Sequence, residues 1–311
     1  MSTPFLTLTE AAGTVAAFST AVRLGLLDRI DREPAEPAEL ARTCGASERG
    51  VRVVLSTLAD RGFVERLADG RYRPVLTGLA ALHPLIPLWD HLPDAVRTGA
   101  PVYEASMSET ASEVYPPTVN FLAGLWGDAV EQAADVLPQA KRVLDVGAGA
   151  APWTIAYSIR NPGCRVTAMD LPQVLPATRR AVQRAGLKDR YEYLEGDVFS
   201  TPFEPCAYDL IVLGQVCHLF PPATCAALLD RLAGSLAENG VLAIVETMAG
   251  GPGSAIHDLS LYLRTRSGCV HSPAAYEGWL AGAGLTETST TELTSSLAMA
   301  VISGRKRRYT E

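Results

Sequence analysis

The spacing of apolar positions changes several times along the chain, and each change predicts a different element. From Leu6 to Ile30 an alanine-rich run places Val15, Phe18, Val22 and Leu26 at helical spacing, which predicts a helix with one apolar face that must pack on something. Pro34 and Pro37 punctuate the chain after it. Glu39 to Gly45 reads as a short helix ended by glycine, and Ser47 caps a second helix carrying Val51, Val54, Leu55 and Leu58. Phe63–Leu67, the turn Ala68-Asp69-Gly70 and Arg71–Arg73 predict a strand, a turn and a strand. Helix, turn, helix and hairpin make a winged helix.

From Leu79 to Val136 the spacing is again helical, interrupted at His83-Pro84, Pro87, Pro93, Gly99-Ala100-Pro101 and Pro116-Pro117. This connector holds Trp89, Tyr103, Tyr115, Phe121 and Trp126, rings suited either to roof an apolar pocket or to fill plain core. Beyond it, short apolar runs alternate with helical ones. Val143–Val146, Val166–Met169, Tyr191–Leu194, Tyr208–Leu213 and Gly240–Glu246 read as buried strands. Between them lie the helical patterns that start near Trp153, Thr178 and Ala223. Leu285–Ser303 looks like two strands without an intervening helix, hence a hairpin closing the sheet, and Arg305–Arg308 reads as a solvated tail. The fold class expected is α/β, a Rossmann-like sheet with a closing antiparallel hairpin behind a mostly helical winged-helix domain. The domains are expected at 1–99 and 100–311.

The candidate chemistry begins at Arg142–Pro172. There an apolar strand meets a glycine turn (Gly147, Ala148, Gly149), a helix comes next, and a second strand ends in Asp170. Such a βαβ unit binds a nucleoside cofactor: glycines allow a tight turn and close backbone approach, and an acidic residue about twenty positions on can bind ribose hydroxyls. With Asp145 before the turn and Ala151 in place of a third glycine, the pattern resembles S-adenosylmethionine (SAM) sites more than NAD sites. No GK[ST] stands after the turn, which excludes a nucleoside-triphosphate loop. Asp170, Asp197, His218 and Glu246 all fall at the carboxyl ends of predicted strands, where open α/β sheets bind ligands.

Composition narrows the setting. The 311 residues are 48% apolar, enough for one large or two medium cores, and the formal net charge of −7 argues against nucleic acid or an anionic membrane as partner. Arg49, Arg52 and Arg61 make only a weak basic face against Glu48 and Asp60, so the winged helix is expected to dimerise rather than to bind DNA. The six cysteines show no CxxC pairing and read as reduced thiols. No basic leader and no run approaching a membrane span of ~18 apolar residues is evident, so a cytoplasmic enzyme is expected.

Taken together, LDVGAGA, MDLPQVL, EGDVF, CHLF and the late segment LRTRSG…WLAGAGL resemble the SAM-dependent small-molecule O-methyltransferases with an N-terminal winged-helix dimerisation domain. That family includes plant caffeate-type enzymes and actinobacterial tailoring enzymes of antibiotic pathways. The resemblance spans nearly the whole chain and implies SAM as cofactor, a small-molecule acceptor and a homodimer. It implies a cofactor site in which Gly147 and Gly149 form the glycine turn, with Gly147 against the methionine part, Asp170 on the ribose and Leu171 beside the adenine. Asp197 would accept the adenine amino group, with Val198 flanking the ring. Gly214 stands where relatives often place a polar side chain against the cofactor, with Gln215 as its substitute. His218 occupies the general-base position, and Glu246 the position of a carboxylate that orients it.

Three departures from the family pattern bear on the acceptor pocket. Leu219-Phe220 stand after His218 where relatives carry aspartate and an aromatic, and a second supporting glutamate falls on Val270. His257, Asp258 and His271 lie in the segment that lines the acceptor pocket in relatives. Leu219, His257, Asp258, Leu261, Thr265, His271 and Trp126 are therefore the expected pocket residues. His271 with His218 resembles a subgroup of ketoacid C-methyltransferases that hold ferric iron. The aspartate of that site falls on Leu219, so no metal is expected. The function expected is methylation of a hydroxyl on an aromatic or polyketide-like metabolite. The alternatives are C-methylation of an enolisable ketoacid, with His218 and His271 binding acceptor or metal and Arg264 or Arg266 either meeting the carboxylate or standing as surface charges, and a SAM-binding protein or winged-helix sensor that does not methylate.

Overall fold

The computed structural model of the chain describes residues 4–294 and 297–307. The chain divides into a unit ending at Asp90 and a second beginning at His91, earlier than the expected boundary at 99. The helix Leu92–Thr98 (α5) goes with the second unit, where the Tyr262 hydroxyl donates to Ala95 O (3.2 Å).

In the first unit the expected single helix is two, α1 (Pro4–Arg23) and α2 (Leu26–Arg32), because Gly25 turns left-handed at φ 67°. The next two helices are α3 (Pro37–Cys44), ended by Gly45, and α4 (Glu48–Asp60), where Ser47 Oγ accepts from Gly50 N at 3.3 Å. Strands β1 (Val64–Arg66) and β2 (Tyr72–Pro74) pair antiparallel as the wing. Phe18, Leu26, Ile30, Leu40, Val51, Leu55, Leu58 and Tyr72 are buried in this unit. By length and hydropathy (1.3 over its most apolar window) α1 alone would suffice to cross a membrane, which corrects the expectation that no segment comes near a span. Phe5, Leu8 and Val15 form an exposed stripe on it at i, i+3 and i+10 (82, 69 and 46% exposed). Four of the arginines here are paired with acids: Arg52 with Glu48, Arg61 with Glu10, Arg71 with Asp69 and Arg73 with Glu65.

The second unit is a seven-stranded sheet. Its strands are β3 (Arg142–Val146), β4 (Arg165–Asp170), β5 (Tyr191–Glu195), β6 (Tyr208–Gly214), β7 (Leu236–Thr247), β8 (Leu285–Leu293) and β9 (Met299–Lys306). They lie in the order β5-β4-β3-β6-β7-β9-β8. Neighbours from β5 to β7 run parallel, and β9 runs antiparallel to both β7 and β8. Helices α7 (Gly127–Val136), α8 (Pro152–Arg160) and α9 (Leu175–Arg184) contribute to the core on one face, and α10 (Pro222–Ala233) and α12 (Pro273–Gly282) to that on the other. Covered on both faces, the central strands run apolar and buried without alternation over Leu210–Leu213 and Val241–Val245. The supposed tail is partly strand. Arg305 pairs with Glu287 (3.0 Å) and Lys306 Nζ donates to Leu236 O (2.8 Å), while Arg308 lies outside the described residues.

One interruption expected from sequence does not occur. Helix α6 (Ser108–Leu125) runs through Pro116 and Pro117. Proline deletes a donor and crowds the preceding turn. Here the one Thr118 hydroxyl proton is shared in that turn between Val114 O (3.0 Å) and Tyr115 O (3.2 Å).

Candidate active site

The strand order reverses at β3, with β4 on one side and β6 on the other, so a crevice opens over the carboxyl ends of these strands. At its floor Gly147 has φ 67°, and a Cβ there would lie 2.6 Å from Val216 Cγ2. Only glycine fits. Gly147 N and Ala148 N donate to Met169 O (2.9 and 3.1 Å), holding the turn against β4. Asp170 locks it from above: Gly149 N donates to Oδ2 and Leu171 N to Oδ1, both at 2.7 Å. Burial pushes the Asp170 carboxyl up to about 6, although these two N–H groups pull the other way. Each carboxylate oxygen keeps a lone pair for a further donor.

Past β5, Asp197 Oδ1 accepts from Phe199 N (2.8 Å) and Oδ2 from the Ser108 hydroxyl at the start of α6. Val198 packs beside it on the apolar core. At the end of β6, a Cβ on Gly214 would lie 2.1 Å from Trp153 Nε1, so an indole fills the space where the family resemblance led us to expect a polar side chain. Gln215 is held at φ 61°, with its backbone N and Nε2 both donating to Val245 O (3.0 and 3.2 Å). Its Oε1 is buried and unpartnered. A left-handed backbone and an orphaned acceptor at one residue are costs tolerated mainly at ligand sites. These cradles fit an adenosyl sulfonium bearing ribose hydroxyls and an ammonium group.

The adjacent strand ends carry His218 and Glu246. His218 sits in the single 3₁₀ turn Cys217–Leu219 after β6, and Glu246 near the end of β7. Neighbouring strands bring the two together. His218 Nδ1 and Glu246 Oε2 are 2.7 Å apart, and Glu246 Oε1 accepts from Cys217 N at 2.8 Å. Glu246 is 0% exposed and His218 6%. A fully buried carboxylate accepts but does not donate when ionised, so Nδ1 carries the proton and Nε2 keeps its lone pair.

Helix α11 (Ser254–Arg264) supplies the opposite wall. His257 meets the His218 ring edge-on (centroids 5.0 Å, 87°). Burial, then the neighbouring His218 and Arg264, push His257 down to about 3, so this ring is neutral, and its Nε2 is buried without a partner. Leu261 and Leu219 belong to the same buried cluster. The remaining expected pocket residues are not brought to this wall. The Thr265 hydroxyl is spent closing α11, donating to Leu261 O (3.0 Å) and accepting from Gly268 N (3.0 Å). Asp258 is exposed and ties down Val270 N (2.8 Å). His271 lies among Phe220 O (3.1 Å from Nε2), Cys225 Sγ (3.7 Å) and Cys269 Sγ (3.4 Å from Nδ1), edge-on to Tyr276 and Trp279. Both its nitrogens are committed, and the histidine that joins His218 is His257. Trp126 stacks on Trp153 (6.3 Å) in the core on the α8 face. Among the described residues no group of three His, Cys, Asp or Glu is arranged to hold a metal ion.

Sequence reasoning missed the Trp153–Gly214 contact and the Ser108–Asp197 bond, which no local pattern signals. It also underweighted the stripe of α11. His257, Leu261 and Arg264 recur at i, i+4 and i+7, which is a readable helical face.

A glycine turn, a carboxylate at the next strand end and a buried His–Glu pair on a sheet with one reversed strand define a class I methyltransferase. The O-methyltransferase domain family matches residues 89–286, and the O-methyltransferase dimerisation domain family matches residues 7–83. The chain belongs to this family and is a SAM-dependent O-methyltransferase of small molecules. It is 29% identical over 306 residues to acetylserotonin O-methyltransferase of Mus musculus (85% of this chain, 78% of that one). It is 26% identical over 330 residues to the tetracenomycin polyketide synthesis 8-O-methyl transferase TcmO of Streptomyces glaucescens (97 and 96%). The crystal structure of human N-acetylserotonin methyltransferase in complex with SAM shares the fold, with TM-score 0.79 at 21% identity over 99% of both chains.

Proposed function

We propose that this enzyme methylates a hydroxyl of a small aromatic or polyketide-like metabolite, with His218 as general base and Glu246 as the carboxylate that orients it. The observation that carries this reading is the 2.7 Å bond from His218 Nδ1 to a carboxylate with no exposure, because it fixes the tautomer that leaves Nε2 free to take a proton. When bound, SAM supplies an electrophilic methyl group on sulfonium sulfur. Gly147, Gly149, Asp170, Leu171, Asp197, Val198 and Gln215 Oε1 would hold it, with the Gly214 backbone beside them. A phenol near its ordinary pKa of ~10 is mostly protonated at neutral pH, so His218 removes that proton as the oxygen becomes a nucleophile. Leu219 and Leu261 exclude water around it. On the resulting imidazolium, Glu246 holds the charge. Positioning contributes the larger part of the rate, since effective molarities for well-oriented reactants reach ~10⁵–10⁸ M.

The names of the two relatives, one an acetylserotonin and the other a polyketide methyltransferase, support an acceptor of this size and aromaticity. We read the first unit as the surface that makes a homodimer: Leu8 and Val15 of the exposed stripe lie within the dimerisation-domain match (7–83) and Phe5 lies just before it, which favours a partner helix over a lipid bilayer. The acid-paired arginines of the wing favour the same role over nucleic-acid binding, and a cytoplasmic setting accords with it. The test is His218→Ala assayed with a panel of phenols, with product identification by NMR. Turnover falls by ~10²-fold or more while SAM affinity is unchanged. Loss of SAM binding, or undiminished turnover, overturns the assignment.

A further inference from the structure

The α11 stripe that faces His218 ends in a cation. His257 touches the His218 ring and Leu261 is fully buried beside Leu219, so Arg264, two turns beyond His257 on the same stripe, lies on the face directed at the acceptor site. Its side chain folds back along the helix, Nε donating to Ser260 O at 3.2 Å. That brings the guanidinium to within about one turn, ~5 Å of helix axis, of the His257 level. Arg264 is half-buried, and among the described residues no carboxylate pairs with it, whereas its exposed neighbour Arg266 lies 3.9 Å from Glu104. Two backbone bonds, Val102 N to Leu263 O (2.8 Å) and Ala105 N to Arg264 O (2.7 Å), hold Tyr103 alongside. Burial raises the hydroxyls of Tyr103 and Tyr115, and the Arg264 guanidinium opposes both shifts, which places that charge near both phenols.

A half-buried guanidinium whose side-chain partner is the Tyr103 phenol and not an acid keeps the rest of its forked donors for an anion. We infer that Arg264 receives a carboxylate on the acceptor, so that the substrate is an aromatic hydroxy acid whose hydroxyl lies at His218 and whose carboxylate lies across the ring system at Arg264. In a chain of formal net charge −7, an anionic acceptor requires such a local cation. This inference rests on the hydroxyl-methylating reading above and adds the acceptor's charge and the position of that charge.

The full-length protein loaded with S-adenosylhomocysteine is titrated with 6-hydroxy-2-naphthoate and with 6-hydroxy-2-naphthamide. The wild type binds the acid ~10–100-fold more tightly, the factor expected of hydrogen bonds to a charged group. Arg264→Gln abolishes that preference, and Arg264→Lys retains part of it and serves if the glutamine variant fails to fold. Equal binding of acid and amide by the wild type, failure of the acid to bind, or a preference that survives Arg264→Gln overturns the inference. So does an equal loss for both probes in Arg264→Gln, which would make Arg264 a partner of the phenolate or of the fold. Turnover separates the two levels. Methyl ethers formed from both probes without discrimination sink the carboxylate site alone. Discriminating binding without any methyl ether from a hydroxyaryl probe sinks hydroxyl methylation and leaves the anion site standing.

Discussion

Replacing Glu246 by glutamine changes one atom and reverses a tautomer. In the native site Glu246 Oε1 accepts from Cys217 N and Oε2 from His218 Nδ1, and the carboxylate has no contact with water. A glutamine that keeps its oxygen on Cys217 N turns its NH₂ toward His218. Nδ1 must then accept, the proton moves to Nε2, and the face directed at the acceptor can no longer take a proton. The opposite rotamer sets NH₂ against Cys217 N–H and leaves a buried donor unpaired, at a cost of ~1–3 kcal/mol. The charge term sets the size of the effect. An imidazolium and a carboxylate about 4 Å apart at an effective dielectric of 20 attract by ~4 kcal/mol, an upper bound of ~10³-fold in rate. The loss of one charge-assisted hydrogen bond, ~1.5–3 kcal/mol, sets the lower bound at ~10-fold. A fall in kcat of about 10²-fold is therefore expected, with SAM affinity by calorimetry unchanged, since no Glu246 atom bonds to the glycine turn or to Asp170. His218→Ala/Glu246→Gln should be no slower than His218→Ala, because the two residues act as a unit. A Glu246→Gln enzyme within about threefold of wild type, or a double variant whose losses multiply, would refute the orienting role.

Two further outcomes are expected. Burial raises Asp170 to about 6 in the free protein, and ribose hydroxyls are best accepted by its ionised form. Below that pH the carboxyl must first lose a proton, so SAM affinity is full above about pH 6 and falls by up to about tenfold per unit beneath it. Titration calorimetry between pH 5 and 8 checks this, and a flat profile refutes it. The exposed Phe5–Leu8–Val15 stripe predicts a dimer in sedimentation velocity and a shift toward monomer in Leu8→Asp; a wild-type monomer at micromolar concentration would refute that interface.

The features legible in the sequence were those that depend on chain order. Alternating strands and helices fix a parallel sheet, a parallel sheet puts its ligands at the carboxyl ends, and Asp170, His218 and Glu246 stand at those ends. Even the meeting of His218 with Glu246 is a consequence of order, because β6 and β7 are sequential strands joined by one helix and lie side by side. The illegible features depend on rotation. The sequence pattern points to His271 as the partner of His218, and the structure brings His257 instead. The turn Thr265–Gly268 packs so closely on His218 that a Cβ on Gly268 would lie 2.5 Å from His218 O, and the chain beyond it carries His271 into the Cys225–Tyr276 cluster. Trp126 is expected in the acceptor pocket as one of the connector's rings. Stacking on Trp153, which needs the glycine at 214, holds it in the other core.

The two halves of the site differ in how they are specified, and this bears on which half can change. The cofactor side is local: Gly147, Gly149 and Asp170 lie in one βαβ unit and bond to one another through backbone N–H groups, so almost any substitution there disturbs the turn. The proposed acceptor side rests on the 102–105 segment and α11, held by bonds such as Ala105 N to Arg264 O that do not depend on the side chains presented. Arg264 could become another residue without loss of a backbone hydrogen bond, and His257 without disturbing Glu246. Acceptor charge and shape are therefore free to diverge while His218, Glu246 and the SAM cradle stay fixed. On this view the charge at position 264, more than the proposed His218–Glu246 pair, would set the class of acceptor this chain takes.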